Sequence, residues 1–249
     1  YDLDTARLFA NVSTDLEPPT TTEISNRPDG QGGFNDLAAE RILGGETGVT
    51  GVWSAPRLSY DVTLFYQDID DVLVPFQERA FGPTYYRNQG AARHLGIETS
   101  FQWRPAELVS IQASYSYVDA EFTAGTVEEP DTTTSLDGNQ LPGVPSHRLG
   151  ATAQLQADPV RGSITVQHVG EQYADSENTA TNDGYTTVDL RLSHPGFSVP
   201  GDATVTPFLA LNNAFDVRYN DVVVNAFGGR FYEPAAGRHW RFGASLQFD

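Results

Sequence analysis

Cysteine, methionine and lysine are all missing from this chain of 249 residues. Without cysteine there is no disulfide, thiolate metal site or cysteine nucleophile. Without lysine there is no Schiff-base catalyst and no phosphate-loop lysine. All 15 basic residues are therefore arginine, against 33 acidic ones, for a formal net charge of −18. Such a chain repels phosphate backbones, so nucleic acid is excluded as a partner; the acidity fits hydrated loops and a salt-rich habitat. No run of about eighteen apolar residues occurs, which excludes a transmembrane helix. The serine nucleophile elbow, the zinc-binding His-Glu-x-x-His helix and the dinucleotide glycine pattern are absent too. No catalytic residue or cofactor is expected, and the chain is read as a non-enzyme. The five histidines, at 94, 147, 168, 194 and 239, lack ligand spacing on a shared face, so no metal site is expected. Asp68, Asp70 and Asp71, and the looser group Glu128, Glu129, Asp131 and Asp137, offer oxygen ligands. They lack the glycine and distal glutamate of a calcium loop and read as solvated acids. Neither a charged start nor an apolar signal core opens the chain at Tyr1, so it is expected to be mature, trimmed or part of something longer.

What the chain has is alternation. In the last segment Trp240, Phe242, Ala244, Leu246 and Phe248 share one face of a strand, and His239, Arg241, Gly243, Ser245 and Gln247 the other. Leu58, Tyr60, Val62, Leu64 and Tyr66 repeat the pattern, with Phe65 as an exception on the polar side. So do the runs 94–103, 109–117, 148–156, 163–168, 186–193 and 204–212. Weaker candidates lie at 7–14 and 46–53. The total is about ten strands, most of the length that crosses a bilayer when tilted. Mean hydropathy of −0.37 is no objection, because a barrel hides its apolar residues in alternation.

Connections alternate as well. Those near 54–56, 105–106, 158–161 and 194–202 are short, whereas 15–41, 68–93, 120–146, 173–184 and 215–237 are long and rich in Gly, Pro, Asp and Thr. Short turns at one end and long loops at the other are the outer-membrane arrangement. With short turns periplasmic, the C-terminus is periplasmic.

Three stretches carry a resemblance. The first is Phe9-Ala10-Asn11-Val12-Ser13 leading to Glu17-Pro18-Pro19-Thr20-Thr21-Thr22-Glu23. The second is Tyr85-Tyr86-Arg87-Asn88-Gln89-Gly90 with Arg93, Gly96, Ile97 and Glu98. The third is Leu211-Asn212-Asn213-Ala214-Phe215-Asp216, Tyr219, Gly229-Arg230-Phe231-Tyr232-Glu233-Pro234, Gly237-Arg238 and the terminal strand. In this order they resemble the C-terminal barrel portion of TonB-dependent outer-membrane receptors, although Asp249 follows the aromatic on which that family usually stops.

The resemblance implies an all-β fold: an antiparallel transmembrane β-barrel whose ten or so strands here form part of a barrel of about 22 with a plugged lumen. Residues 1–249 would be one C-terminal segment of it, with the N-terminal strands and plug outside this chain. The implied function is active import of a scarce nutrient, a ferric chelate first. The implied partners are outer-membrane lipid, the rest of the barrel, the plug, a TonB-type complex acting through it, and a small iron chelate. The strand at 238–248 should pair with 203–213 on one edge and with a strand from elsewhere on the other.

Arg79, Tyr85, Tyr86, Arg87 and Tyr173, in the long loops, suit an anionic or aromatic chelate through charge-assisted bonds and stacking; an outer aromatic girdle accounts equally well for the tyrosines. Arg230 and Tyr232 read as structural. Glu98, Arg148, Asp189, Arg191, His239 and Arg241 lie on the expected lumen face, to meet the plug or simply to pair across strands. Two alternatives stand beside this reading. One is a closed ten-stranded outer-membrane protease or porin-like barrel, in which His147 near Asp137, or His94 near Asp70, would converge at the rim. The other is a soluble all-β adhesin-type domain.

Overall fold

The structure is a computed structural model that describes residues 5–25, 27–28, 33–55, 57–76, 83–129, 132–226 and 229–248. In chain order its elements are β1 (Ala6–Glu17), α1 (Thr21–Ile24), β2 (Glu40–Trp53), β3 (Leu58–Phe76), β4 (Tyr85–Ala106), β5 (Val109–Ala124), β6 (Thr126–Glu129), β7 (Thr132–Ser135) and β8 (His147–Ala157). They continue with β9 (Val160–Val169), β10 (Gln172–Tyr173), β11 (Thr181–Asn182), β12 (Tyr185–Ser193), β13 (Phe197–Val199), β14 (Ala203–Asn212), β15 (Asn220–Ala226), β16 (Gly229–Pro234) and β17 (His239–Phe248).

Ten of these make a wall, an antiparallel meander in the order β1-β2-β3-β4-β5-β8-β9-β12-β14-β17. The register carries the sequence alternation across every strand boundary. Leu8, Val49, Val62, Thr99, Tyr115, Leu149 and His168 form one cross-strand row on the apolar face. That face is left open: Val12 is 79% exposed, Phe248 71% and Phe242 84%. Apolar surface costs about 25 cal/mol per Å² in water, so this face requires an apolar medium.

The polar face solves a different problem. On it Phe9, Phe65 and Phe208 each lie directly opposite a glycine: Phe9 on Gly48, Phe65 on Gly96 and Phe208 on Gly243. The ring occupies the space a Cβ would take; at Gly48 that atom would fall 2.6 Å from Phe9 Cζ. Aromatic cover of a strand glycine pins register, and it accounts for Phe65 breaking the alternation.

The wall does not close on itself. Among the described residues β1 pairs with β2 alone and β17 with β14 alone, which removes the closed ten-stranded protease or porin-like barrel. Short connections lie at one end and long ones at the other, as expected.

Several expected loops are instead strand. The stretch 68–93 holds the ends of β3 and β4, which continue past the wall as a hairpin to Phe76 and from Tyr85. A bulge at Asp71 (φ 61°) shifts the parity, so Val72 and Val74 stay inward-packed where simple alternation fails. The connection 120–146 contains the β6–β7 hairpin, 173–184 the β10–β11 pair and 215–237 the β15–β16 hairpin. On the short side, 194–202 is not all turn. After an irregular step at His194–Gly196, β13 continues the line of β12 along β14. The wall proper has no interior. The contiguous apolar cluster among the described residues lies at the long-loop end, where Ile69, Val72, Val74, Ala92, Phe122, Val127 and Leu136 pack together with Ile42 and Leu141.

Candidate functional site

Two regions hold the candidate residues, the long-loop rim and the polar face of the wall. At the rim, Tyr85, Tyr86 and Arg87 begin β4 and pair with Phe76, Pro75 and Val74. They are therefore strand residues, and their expected loop placement is corrected. The hairpin extends because Val72, Val74 and their neighbours have the apolar cluster to pack on. The Arg87 guanidinium lies 3.7 Å from the centre of the Phe76 ring and 3.0 Å from Glu128 in β6. Both of its attractive faces are thus engaged. Tyr85 packs at 5.6 Å on the same Phe76 ring. Tyr86 is half-buried, and burial, with Glu23 nearby, pushes its phenol up. Tyr173 belongs to the β10–β11 pair elsewhere on the rim, where its carbonyl accepts from Gly143 N–H. Arg79 lies outside the described residues, as does Asp131 of the acidic group. The acids meet protein partners: Asp71 pairs with Arg41 at 2.9 Å, and Asp68 accepts from Tyr66 Oη at 2.8 Å. Among the described residues no group of acids or histidines is arranged for a metal.

Sequence reasoning missed what holds the rim together, which is asparagine. Asn88 Nδ2 donates to the carbonyls of Ala38 and Asp71 while its Oδ1 accepts from Ala38 N–H, joining the first long connection to the β3–β4 hairpin. Asn178 treats Gln140 the same way, accepting from its N–H at 2.7 Å and donating to its carbonyl at 2.8 Å. Asn139 donates to Ser176 O, and Asn182 and Asn220 bond to each other. A side-chain amide offers one acceptor and two donors, the same set as a backbone edge. Each asparagine thus adds a piece of ladder between loops. Asn213, in the tail motif, works within one connection. It is buried at φ 49°, and its side chain binds Val217 and Ala236, while Asp216 accepts from Arg238 N–H.

On the wall, Glu98, Arg148, Asp189, Arg191, His239 and Arg241 all fall on the polar face. Glu98 and Arg148 share a row through Ser116, and a cleft of about 550 Å³ opens beside them with Asp61, Ser114 and Gln167 on its lining. Asp189 accepts from Asn213 N–H at 2.7 Å, and with His239, Tyr219 and Asp221 it lines a second cleft of about 410 Å³. His147 does not meet Asp137 in a catalytic arrangement. It lies on the apolar face, where Nδ1 bonds Tyr115 Oη at 2.9 Å and the ring packs on Tyr117.

The sequence profile of the TonB dependent receptor-like β-barrel matches residues 1–214. The chain belongs to the TonB-dependent receptor β-barrel family. One curated relative, the metal-pseudopaline receptor CntO of Pseudomonas aeruginosa (strain UCBPP-PA14), is 27% identical over 218 residues, covering 85% of this chain and 28% of its own length. The ferrichrome outer membrane transporter/phage receptor of Escherichia coli (strain K12) is 30% identical over 149 residues, 56% of this chain and 18% of the relative. Among solved structures, the siderophore receptor PiuA of Acinetobacter baumannii superposes with a TM-score of 0.77 at 20% identity, over 98% of this chain and 34% of that one. The chain therefore spans about a third or less of the relatives it matches. Its ten wall strands are part of a TonB-dependent receptor barrel, an antiparallel transmembrane architecture of about 22 strands. Relatives in this family are transport receptors of the bacterial outer membrane.

Proposed function

We propose that this chain is the C-terminal barrel portion of an outer-membrane receptor that imports a metal chelate, a ferric chelate of the siderophore kind first. The observation that carries it is the wall itself: an apolar face left bare across ten strands, a polar face behind it, and every long connection at one end. That end is proposed to face outward and take the ligand, with the C-terminus in the periplasm. Tyr85, Tyr86 and Tyr173 are proposed ligand contacts. Arg87, already held by Glu128 and Phe76, shares the Phe76 ring with Tyr85. The energy comes from a TonB-type complex acting on a plug domain in the lumen, and this chain supplies no chemistry. Of the relatives, one is named a siderophore receptor and one a ferrichrome outer membrane transporter. The other is named for metal-pseudopaline, a name that fixes no particular metal, so a chelate of a metal other than iron is the second reading.

The test uses the full-length receptor expressed in a Gram-negative host lacking its own metal-chelate receptors. Uptake of labelled iron, zinc, nickel and cobalt is followed with a panel of chelators, with and without TonB. Uptake of one chelate that vanishes without TonB is the expected result. Uptake that persists without TonB, or no chelate-dependent uptake of any of these metals, sinks the proposal.

A further inference from the structure

The acidity of this chain is concentrated at one end of the wall. The five long connections, 15–41, 68–93, 120–146, 173–184 and 215–237, hold 21 carboxylates against seven arginines, a net of −14 out of the chain's −18. The short turns with their flanks, 54–57, 104–108, 158–161 and 194–202, hold three carboxylates (Glu107, Asp158 and Asp202) and three arginines (Arg57, Arg104 and Arg161), the chain ends aside. Both ends are turns and loops that water reaches. Acidity that served hydration or salt tolerance alone would have no reason to prefer one of them.

The positive charge at the rim is also largely engaged. Arg41 pairs with Asp71, Arg87 with Glu128 and Arg93 with Glu121. Arg87, which by its chemistry would suit an anionic chelate, thus has its charge already met. Carboxylates remain in excess. Asp36, Asp137 and Asp183 are all exposed, and each belongs to a different connection. The same sign continues onto the polar face: the cleft of about 410 Å³ against the β15–β16 hairpin is lined by Asp189, Asp221 and Glu233, with no arginine among its lining residues.

We infer that this sector of the rim selects the ligand by sign. The chelate it admits carries a net positive charge, on a pendant ammonium or guanidinium group or on an incompletely neutralised metal, and anionic chelates are held off. The inference rests on the proposed receptor reading and narrows its ligand. Charges of one sign gathered around a concave mouth focus the potential there and raise the arrival rate of oppositely charged solutes by about ten- to a thousand-fold. At physiological ionic strength this reach is about 8 Å. Inside that distance a ligand cation meets carboxylates directly, through charge-assisted hydrogen bonds.

The experiment reads the field first and the ligand second. The full-length receptor is purified in a non-ionic detergent, with a fluorophore attached through Thr133→Cys on the exposed β7. Quenching is compared for two nitroxides of one core, one bearing an ammonium group and one a carboxylate. At low ionic strength the ammonium nitroxide is expected to quench about tenfold faster, and the two should converge at about 1 M salt, where the screening length is about 3 Å. In D36K/D137K/D183K, with barrel folding checked by heat-modifiable gel mobility, the ratio should fall toward parity; if that variant does not fold, D36N/D137N/D183N should move the ratio the same way by less. Equal quenching of the parent by both nitroxides, or a ratio unmoved by the substitutions, overturns the inference and leaves the receptor reading intact. In the host of the uptake test, the chelate imported by the parent should be net positive, and the variant should import it more slowly below saturation. TonB-dependent import of a neutral or anionic chelate, or an unchanged rate in the variant, overturns the selection by sign while the receptor reading stands. No import of any chelate removes that reading, and the inference with it.

Discussion

Gly96 lies where a methyl group has nowhere to go. A Cβ there would fall 2.5 Å from Phe65 Cζ and closer still to the Tyr117 carbonyl. Overpacking of this kind costs about 1–3 kcal/mol. Gly96→Ala is therefore expected to lower the urea midpoint of the folded barrel in micelles. The double variant with Phe65→Ala should lose less than the sum of the two single losses, because the two sites share one space. An unchanged midpoint for Gly96→Ala would show that the ring is free to move. Glu40 shows the opposite economy, a charge kept where it is unwelcome. It lies directly opposite Glu17 at the rim and accepts from Leu73 N–H. Burial first, then Glu17 and Glu23, raise its carboxyl above the usual range, against the Leu73 hydrogen bond. A raised carboxyl pKa means that the folded state holds the proton more tightly than the unfolded one. That contribution is full below the ordinary carboxyl range and is lost as pH rises through the raised value. Glu40→Gln keeps an acceptor for Leu73 and removes the charge. Its rim should resist protease at neutral pH at least as well as the parent, and the parent should approach it on mild acidification. Greater nicking of the variant at neutral pH would count against this account.

At the scale of the strand, the deciding quantity is what surrounds the apolar face. Val62 stands mid-strand on it, between Val49 and Thr99. If lipid is the surroundings, Val62→Arg costs about 2–4 kcal/mol at the bilayer midplane, read as a lower folded fraction after refolding into vesicles. A cost near zero would place Val62 away from the bilayer core. The alternation that supports this test was legible in the sequence because lipid imposes it residue by residue. That is why Leu58 to Tyr66 could be assigned to faces from the sequence alone. Legibility stops at Asp71. Its positive φ inserts a bulge, and beyond it Val72-Leu73-Val74 follows the packing of the rim cluster and no longer a period of two. Tyr85, Tyr86 and Arg87 then read as loop, although they are strand. The asparagine bonds were invisible for another reason: a contact from Asn178 to Gln140, 38 residues away, has no periodicity to betray it. The arginines of the polar face were half legible. Arg191 and Arg241 could be placed on the polar face by parity, but their neighbourhood with Arg161 depends on which strands pair.

For the molecule as a whole, the long connections should lie outside the cell. An epitope inserted within 128–134 should be labelled on intact cells, and one at 105–106 or 158–159 only after permeabilisation. Labelling of the short turns alone would invert the topology. The five long connections are also tied to one another. Arg87–Glu128 and the apolar cluster join the β3–β4 hairpin to β6–β7, and the asparagines extend the linkage to the connections on either side. This fastening has a lifetime. Asparagine is among the thermolabile residues, and slow hydrolysis of its amide leaves an aspartate. At Asn178 that change would replace the donor to Gln140 O with a negative oxygen facing the same carbonyl. The rim would then come apart by chemical ageing, one fastening at a time, while the strands below stayed whole.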